Sequence, residues 1–145
     1  MGYCMNQRDS KFNIKSRNKN KALAAIKTLM SKVNELGGGG SYSGGKCNKK
    51  WFSWVTTETV VNAKTLKEAM QEWRWEINCD AKGNVDSICF ASEKLGDDNY
   101  LLEAIAPYVV SGSWIDMEGE DGSIWRWEFK NGKVKEIAGR VCFDA

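Results

Sequence analysis

The clearest periodic pattern of apolar and polar residues lies between Lys19 and Leu36. Its apolar positions recur every three or four residues, with lysines between them, which is the spacing that places them on one face of an α-helix. These positions are Ala22, Leu23, Ile26, Leu29, Met30 and Val33. The predicted helix ends at four consecutive glycines, and residues 37–45 consist of glycine, serine and Tyr42. We therefore expect a flexible Gly/Ser-rich loop at 37–45.

Other patterns predict two further helices and a series of strands. Thr65 followed by Glu68 is a capping-box pattern that begins a helix over 66–72. Asp97 or Asp98 is expected to cap a third helix, which ends near Pro107. The predicted strands are 3–14, 51–55, 73–79, 85–91, 113–118, 124–130 and 133–143. This order favours one α+β domain over residues 1–145, with a mostly antiparallel sheet and about three helices.

A Trp-Arg-Trp sequence occurs twice in the chain. Residues 72–77 read Glu-Trp-Arg-Trp-Glu-Ile and residues 124–129 read Ile-Trp-Arg-Trp-Glu-Phe, each followed by a glycine turn and another predicted strand. The recurrence predicts a duplicated α-β-β unit, with chance recurrence of strand-forming residues as the alternative. The indoles share one face of each strand. We expect them in the core, since burying a large aromatic contributes roughly 25 cal/mol per Å², and a ligand platform is the alternative.

The opposite face of the second strand carries Arg126. Asp116 and Glu118 of the preceding strand are predicted to lie beside it, and a cross-strand ion pair is the favoured interpretation. The alternative adds Glu120 and Asp121 of the following turn, which together would form an acidic edge. Such an edge is a candidate binding surface, and its paired carboxylates also raise the less favoured hypothesis of a hydrolase.

Composition excludes several chemistries. The 145 residues include no histidine, so a Ser-His-Asp triad, a Cys-His pair and a histidine metal site are excluded. The five cysteines are scattered without a C-x-x-C pair, which argues against a disulfide framework or zinc knuckle. No apolar stretch approaches the roughly 18 to 20 residues that span a bilayer, and the first residues lack a signal-peptide pattern. We expect a cytoplasmic protein with no membrane association, metal or cofactor.

The formal net charge of +2 hides an uneven distribution. Residues 1–64 hold 12 of the 21 Lys and Arg and three of the 19 Asp and Glu, whereas residues 65–145 hold nine and 16. If each half keeps its own surface, the molecule is an electrostatic dipole. Basic residues beside aromatic rings are typical of nucleotide or single-stranded nucleic-acid binding, and a solvated helix face beside core aromatics is the alternative. The candidates are Lys11, Lys15, Arg17, Lys19, Lys21, Lys46, Lys49, Lys50, Trp51 and Trp54.

Three short stretches resemble a known family. They are Gln7-Arg8-Asp9-Ser10-Lys11-Phe12, Glu93-Lys94-Leu95-Gly96-Asp97-Asp98, and Gly119-Glu120-Asp121-Gly122 followed by Trp125-Arg126-Trp127. Together they are similar to a family of small uncharacterised proteins from phages, prophages and bacterial mobile elements, over most of the chain outside the glycine-rich loop. The family has no established catalytic residues. The resemblance implies a setting in which small proteins often bind and block a host component.

The sequence favours a non-enzymatic binding protein. The first hypothesis is a protein of phage or mobile-element origin that antagonises host defence, either by occupying a defence protein, as anti-CRISPR proteins do, or by sequestering a nucleotide signal. The second is a nucleic-acid-binding accessory domain that uses the basic first half. The third is the carboxylate hydrolase, which only the acidic turn favours.

Overall fold

The computed structural model describes the backbone of residues 2–43 and 46–143, and the side chains of these residues apart from 42–48. Its strands are β1 (Tyr3–Lys11), β2 (Gly39–Ser43), β3 (Lys46–Trp51), β4 (Trp75–Cys79), β5 (Val85–Phe90), β6 (Lys94–Leu95), β7 (Trp114–Gly119), β8 (Ile124–Lys130) and β9 (Lys133–Ala138). The main sheet is antiparallel in the order β6-β1-β7-β8-β9, and it curls into a half-barrel. Two separate hairpins pair β2 with β3 and β4 with β5.

Helices complete an α+β fold. In the part of the chain just defined they are α1 (Lys19–Met30), α2 (Val33–Leu36), α3 (Thr57–Val61), α4 (Leu66–Glu72) and α5 (Asp98–Ile105). The sequence predicted α1, α4 and α5, whereas α2 and α3 are short additions. α1 packs against α3, α4 and α5. None of the helices in residues 2–43 and 46–143 has the length and apolar character needed to cross a membrane.

The periodic apolar positions of α1 lie in the core, as predicted. The buried residues of this helix are Ala22, Leu23, Ile26, Leu29 and Met30. The helix ends six residues earlier than expected, because the amide and the hydroxyl of Ser31 both donate to the carbonyl of Thr28. These bonds tighten the last turn, and the chain resumes a helical course only in α2.

Thr65 caps α4, as the capping-box pattern predicted. Its Oγ1 accepts a hydrogen bond from the amide of Glu68 at 3.2 Å, and the Glu68 carboxylate accepts one from the amide of Lys64 at 2.9 Å. Asp97 behaves differently from expectation, since its side chain makes no cap bond at the start of α5. The tight turn at Asn131 and Gly132 is confirmed, with φ values of 53° and 78°.

The two Trp-Arg-Trp segments have different local structures, so the expected duplicated unit is wrong. Trp73 still belongs to the last turn of α4, where its amide donates to the carbonyl of Ala69. Arg74 then adopts a φ of 75°, and β4 begins only at Trp75. The second segment lies wholly within β8, which pairs with β7 on one side and with β9 on the other. The repeat is one of sequence and not of structure.

The indoles of these segments pack mainly in the core, as expected from the cost of exposing them. Trp73 and Trp75 have no exposed surface and Trp127 is 2 % exposed. Trp125 is half-buried at the side of this cluster, and its ring meets that of Trp127 edge-on, with centroids 5.8 Å apart. The core interpretation is confirmed for the three fully buried indoles.

A strand replaces most of the expected glycine-rich loop. Gly39–Ser43 forms β2 and pairs with β3, and the strand expected over 51–55 is displaced to end at Trp51. The glycines allow this because the Trp51 indole lies directly on their backbone. A Cβ atom at Gly39 would lie 2.2 Å from Nε1 of that indole, a distance that no side chain tolerates. Of the other loop positions, 37 and 38 precede β2, and 44 and 45 lie outside the described residues.

Candidate functional site

The structure separates the basic candidates into two groups. The first group extends from the last residue of β1 into α1, and it consists of Lys11, Lys15, Arg17, Lys19 and Lys21. The second lies beyond the other end of α1, and its described side chains are those of Lys49, Lys50, Trp51 and Trp54. A Cβ atom at Gly37 would lie 2.7 Å from the carbonyl oxygens of both Trp51 and Val33. Trp51 therefore lies beside α2, which follows the C-terminal end of α1. Because the twelve residues of α1 span about 18 Å, the two groups are far apart. The side chain of Lys46 lies outside the described residues.

The two halves of the chain also do not keep separate surfaces. β1, from the basic half, lies between β6 and β7 of the acidic half. Asp9 of β1 faces Asp116 of β7, and Asn6 faces Glu118. The condition for an electrostatic dipole, that each half of the chain keeps its own surface, is therefore not met within the sheet.

Part of the second group meets in a groove, called here the aromatic groove, with a volume of about 620 Å³. It lies between the end of β3 and the start of α3. Its lining residues are Lys49, Trp51, Ser53, Trp54, Val55, Thr56, Thr57 and Glu58. Three of the sequence candidates, Lys49, Trp51 and Trp54, are thus brought together, while Lys50 lies beside the groove in half-buried surroundings.

Trp54 has the most unusual conformation in the aromatic groove. Its φ of 61° lies in the left-handed region, which bulky residues rarely adopt, and it is 50 % exposed. The ring passes close to two glycines, since Cβ atoms at Gly2 and Gly96 would lie 3.2 Å and 3.1 Å from it. The guanidinium carbon of Arg74 lies 5.2 Å from the ring centroid, within the range of a cation–π contact. The indole is therefore fixed by its neighbours while half of its surface stays open.

Arg74 is itself held by a buried carboxylate. Its Nη2 donates to both oxygens of Asp98, at 3.1 Å and 2.9 Å, and its Nη1 donates to the carbonyl of Lys94. Asp98 has no exposed surface, and it also accepts from Trp75 Nε1 at 2.9 Å and from the amide of Gly96 at 2.8 Å. The strand predicted over 73–79, with its indoles in the core, would place Arg74 on the opposite face. Its positive φ turns the side chain inward, and no local pattern signals this.

Asp97 connects the loop that carries Trp54 with the β2–β3 hairpin. One oxygen of its carboxylate, Oδ2, accepts from the amide of Gly38 at 3.0 Å and from the amide of Ser53 at 2.8 Å. Both amides belong to segments that flank the aromatic groove. The carboxylate that the sequence predicted as a helix cap therefore positions the groove instead.

The aromatic groove carries charges of both signs. Lys49 Nζ lies 3.3 Å from Glu58 Oε1, and both side chains are largely exposed. The backbone amide of Glu58 and then Lys49 lower the pKa of the Glu58 carboxyl. Glu58 therefore stays ionised at neutral pH, directly beside the lysine.

The predicted ion pair of Arg126 is confirmed. Its Nε and Nη2 donate to the two oxygens of Asp116, at 2.6 Å and 2.9 Å, from directly opposite positions of β8 and β7. This bond raises the pKa of the Arg126 guanidinium. Glu118 remains exposed on the same strand as Asp116.

The other acidic candidates stabilise the turn between β7 and β8. Glu120 accepts from the amide of Cys4 at 2.9 Å, and Asp121 accepts from the hydroxyl of Tyr3. The Tyr3 hydrogen bond lowers the pKa of Asp121, and the same bond raises the pKa of Tyr3. These carboxylates connect the turn to β1, and each has a structural partner.

Neither a metal-binding cluster nor a disulfide occurs among the described side chains. Within residues 2–43 and 46–143, no three His, Cys, Asp or Glu side chains come together in a way that could hold a metal ion. The cysteines whose side chains are described, Cys4, Cys79, Cys89 and Cys142, form no disulfide with one another. No family model, curated protein or solved structure matches the chain.

Proposed function

We propose that the chain is a non-enzymatic binding protein that docks onto a partner protein through the aromatic groove. The observation that carries this proposal is the conformation of Trp54, a half-exposed indole at a φ of 61°. A bulky side chain in this region costs on the order of 1 to 3 kcal/mol, and such strain is concentrated at functional sites. The exposed half of the indole contributes no burial energy in the free protein to offset that cost. Contact with a partner would recover it.

The surroundings of Trp54 have the composition of a protein-binding surface. Tryptophan is enriched among the residues that contribute most to binding energy, and Trp51 and Trp54 both line the groove. Val61, 48 % exposed, lies one helical turn beyond the groove wall at Thr57.

The charges of the groove favour a protein partner over a nucleic acid. A phosphate backbone that approached Lys49 would also approach the ionised Glu58, 3.3 Å away. A protein surface with both signs of charge avoids this repulsion, because complementary charges are matched one by one across such interfaces. The resemblance to phage-encoded proteins favours a bacterial defence protein as the partner, which the chain would block by occupying its surface.

Trp54→Gly tests the proposal with little damage to the fold. Glycine adopts a φ of 61° without strain, and the strain relief offsets part of the roughly 2 kcal/mol of apolar burial that the half-buried indole provides. We expect the melting temperature to change by no more than about 5 °C. We also expect a protein that the parent chain captures stoichiometrically from a bacterial lysate to be lost with Trp54→Gly.

Phe143→Ala is the matched control, since Phe143 is an exposed apolar residue remote in sequence from the groove. The captured protein is then purified and titrated by calorimetry against the parent chain and both variants. The control should bind like the parent, and Trp54→Gly should bind at least tenfold more weakly. Equal affinities for the parent and Trp54→Gly would overturn the proposal.

A second candidate function is nucleic-acid binding at the start of α1. Lys19 and Lys21 lie in the first turn of this helix, Arg17 precedes it, and that turn holds no acidic residue. Positive charge in this first turn opposes the helix dipole and costs about 0.3 to 1 kcal/mol per residue. This cost favours a role for the basic residues in binding, because they do not stabilise the helix. Fluorescence anisotropy with a labelled single-stranded oligonucleotide tests this candidate. Combined Lys15→Glu, Arg17→Glu and Lys21→Glu substitutions should abolish a binding that weakens steeply between about 50 and 200 mM salt.

A further inference from the structure

Three arginines converge on a second groove, on the outer face of the main sheet. By strand alternation, Ile115 and Trp127 face the core and Asp116 and Arg126 face outward. The groove, called here the arginine groove, lies between β8, β9 and residues 139–142, with a volume of about 520 Å³. Its charged lining residues are Arg8, Asp116, Arg126, Glu128 and Arg140.

The guanidinium of Arg126 is held on two sides before any ligand arrives. Asp116 fixes Nε and Nη2, and the ring of Trp114 lies 4.3 Å from the guanidinium carbon. The side chain is still 42 % exposed, and its Nη1 donates to no atom among the described residues. A planar guanidinium with free donors and a fixed orientation binds phosphate or carboxylate oxygens at low entropic cost. Arg126 therefore has the features of an anion ligand and not only of a structural ion pair.

The charges around Arg126 favour an anion over a cation. The acids on this face are Asp116, which it already neutralises, together with Glu118 of β7, Glu128 of its own strand and Asp9 of β1. Arg8 and Arg140 line the same groove, and both are exposed. Further positive charge on the same face of the sheet comes from Lys133 and Lys135 of β9. A phosphate monoester, with close to two negative charges and three acceptor oxygens, matches several arginines better than a single carboxylate does.

An apolar wall accompanies the arginines. Ile124 and Ile137 are half-buried in the groove, and Val141 beside them is 59 % exposed. Sites for small organic ligands combine such a wall with a few fixed polar groups, in volumes of about 300 to 1,000 Å³. We infer that the arginine groove binds a nucleoside monophosphate or a similar organic phosphate, with the phosphate on Arg126, Arg8 and Arg140 and the organic part on the isoleucines.

The arginine groove is separate from the aromatic groove. Trp54 lies against Gly2 and Gly96, beside the β6 edge of the sheet, whereas the arginine groove lies on β8 and β9. Strands β1 and β7 lie between β6 and β8 in the sheet. Three strand spacings of about 4.8 Å place β6 and β8 roughly 14 Å apart. The inference therefore stands or falls independently of the proposed protein docking.

Calorimetric titration of the full chain tests the inference directly. The probes are the four ribonucleoside 5′-monophosphates, the corresponding nucleosides, inorganic phosphate and a ten-nucleotide single strand. We expect at least one monophosphate to bind at least tenfold more tightly than its nucleoside and than inorganic phosphate. Failure of every monophosphate to bind with a dissociation constant below about 1 mM overturns the inference. Binding of the single strand without binding of any monophosphate also overturns it.

Charge-neutralising variants locate the binding. Arg8→Gln and Arg140→Gln change exposed residues and should fold normally, and each should weaken monophosphate binding at least fivefold. Arg126→Lys retains the charge but not the fork of donors, and it should weaken binding by a similar factor. Lys130→Gln is the matched control, with the same loss of charge on the same strand outside the groove, and its effect should stay below twofold. An equal effect of Lys130→Gln and Arg140→Gln would show nonspecific attraction and overturn the assignment.

Discussion

Asp98 is a fully buried carboxylate that binds Arg74, and the guanidinium of Arg74 packs against the ring of Trp54. Both oxygens of Asp98 accept hydrogen bonds, from Arg74, Trp75 and Gly96. A buried pair of this kind contributes little net stability compared with apolar residues, but removal of one partner strands the other charge. The main effect of the pair is therefore on the position of the loop that carries Trp54, and its net effect on the free energy of unfolding is small compared with apolar residues.

Asp98→Asn should lower the free energy of unfolding by about 3 to 5 kcal/mol, because it leaves the Arg74 guanidinium buried without a counter-charge. Urea denaturation followed by tryptophan fluorescence measures the change. Asp86→Asn, at an exposed position of β5, is the control and should change it by less than about 0.5 kcal/mol. A loss below 1 kcal/mol in Asp98→Asn would mean that water reaches Arg74 in solution.

The hydrogen bond from Tyr3 to Asp121 should affect stability at both extremes of pH. The pKa of Asp121 is lowered in the folded protein. The ionised carboxylate therefore adds to the free energy of unfolding above the unfolded pKa of 3.8, and this addition is lost as pH falls through the folded pKa. The pKa of Tyr3 is raised, so its contribution is present below 10.0 and is lost as pH rises through the folded value.

Tyr3→Phe removes this bond and should flatten both limbs of the pH profile. Melting temperatures measured between about pH 2 and 11 should show less acid destabilisation below pH 4, and less alkaline destabilisation above pH 10, than in the parent chain. The two proteins should differ by a nearly constant amount between these limits. Parallel acid limbs would show that Tyr3 and Asp121 do not interact in solution.

At the scale of elements, the sequence predicted what local patterns determine. The apolar spacing of α1, the Thr65 cap of α4 and the Asn131–Gly132 turn each depend on residues within one or two turns of chain. β2 was missed because glycine-rich sequences have little strand propensity. It forms through a contact with Trp51, which lies twelve residues beyond Gly39 in the chain.

Gly39→Ala should therefore disrupt the β2–β3 hairpin. The added Cβ would lie 2.2 Å from Trp51 Nε1, so the indole or the strand must move. Ser41→Ala is the control, since Ser41 is an exposed residue of the same strand. Amide hydrogen exchange should show faster exchange in β3 for Gly39→Ala and unchanged exchange for Ser41→Ala. Equal exchange in both would show that Trp51 does not lie on Gly39.

At the scale of the whole molecule, the candidate site was only partly visible in the sequence. Lys49, Trp51 and Trp54 were found because basic and aromatic residues are adjacent in the chain. Arg74 and Asp98 were missed because they join Trp54 from other elements, after a backbone turn that no composition rule predicts. The two basic groups were predicted as one cluster because both are positively charged, whereas in the structure the length of α1 separates them.

Fluorine NMR of the chain labelled with 5-fluorotryptophan shows directly whether Trp54 contacts the partner protein. The Trp54→Gly variant identifies the Trp54 resonance among those of the seven tryptophans. On addition of the captured and purified partner, the Trp54 resonance should shift while that of Trp114, on the outer sheet face, stays in place. A saturated complex in which the Trp54 resonance is unchanged would contradict the account.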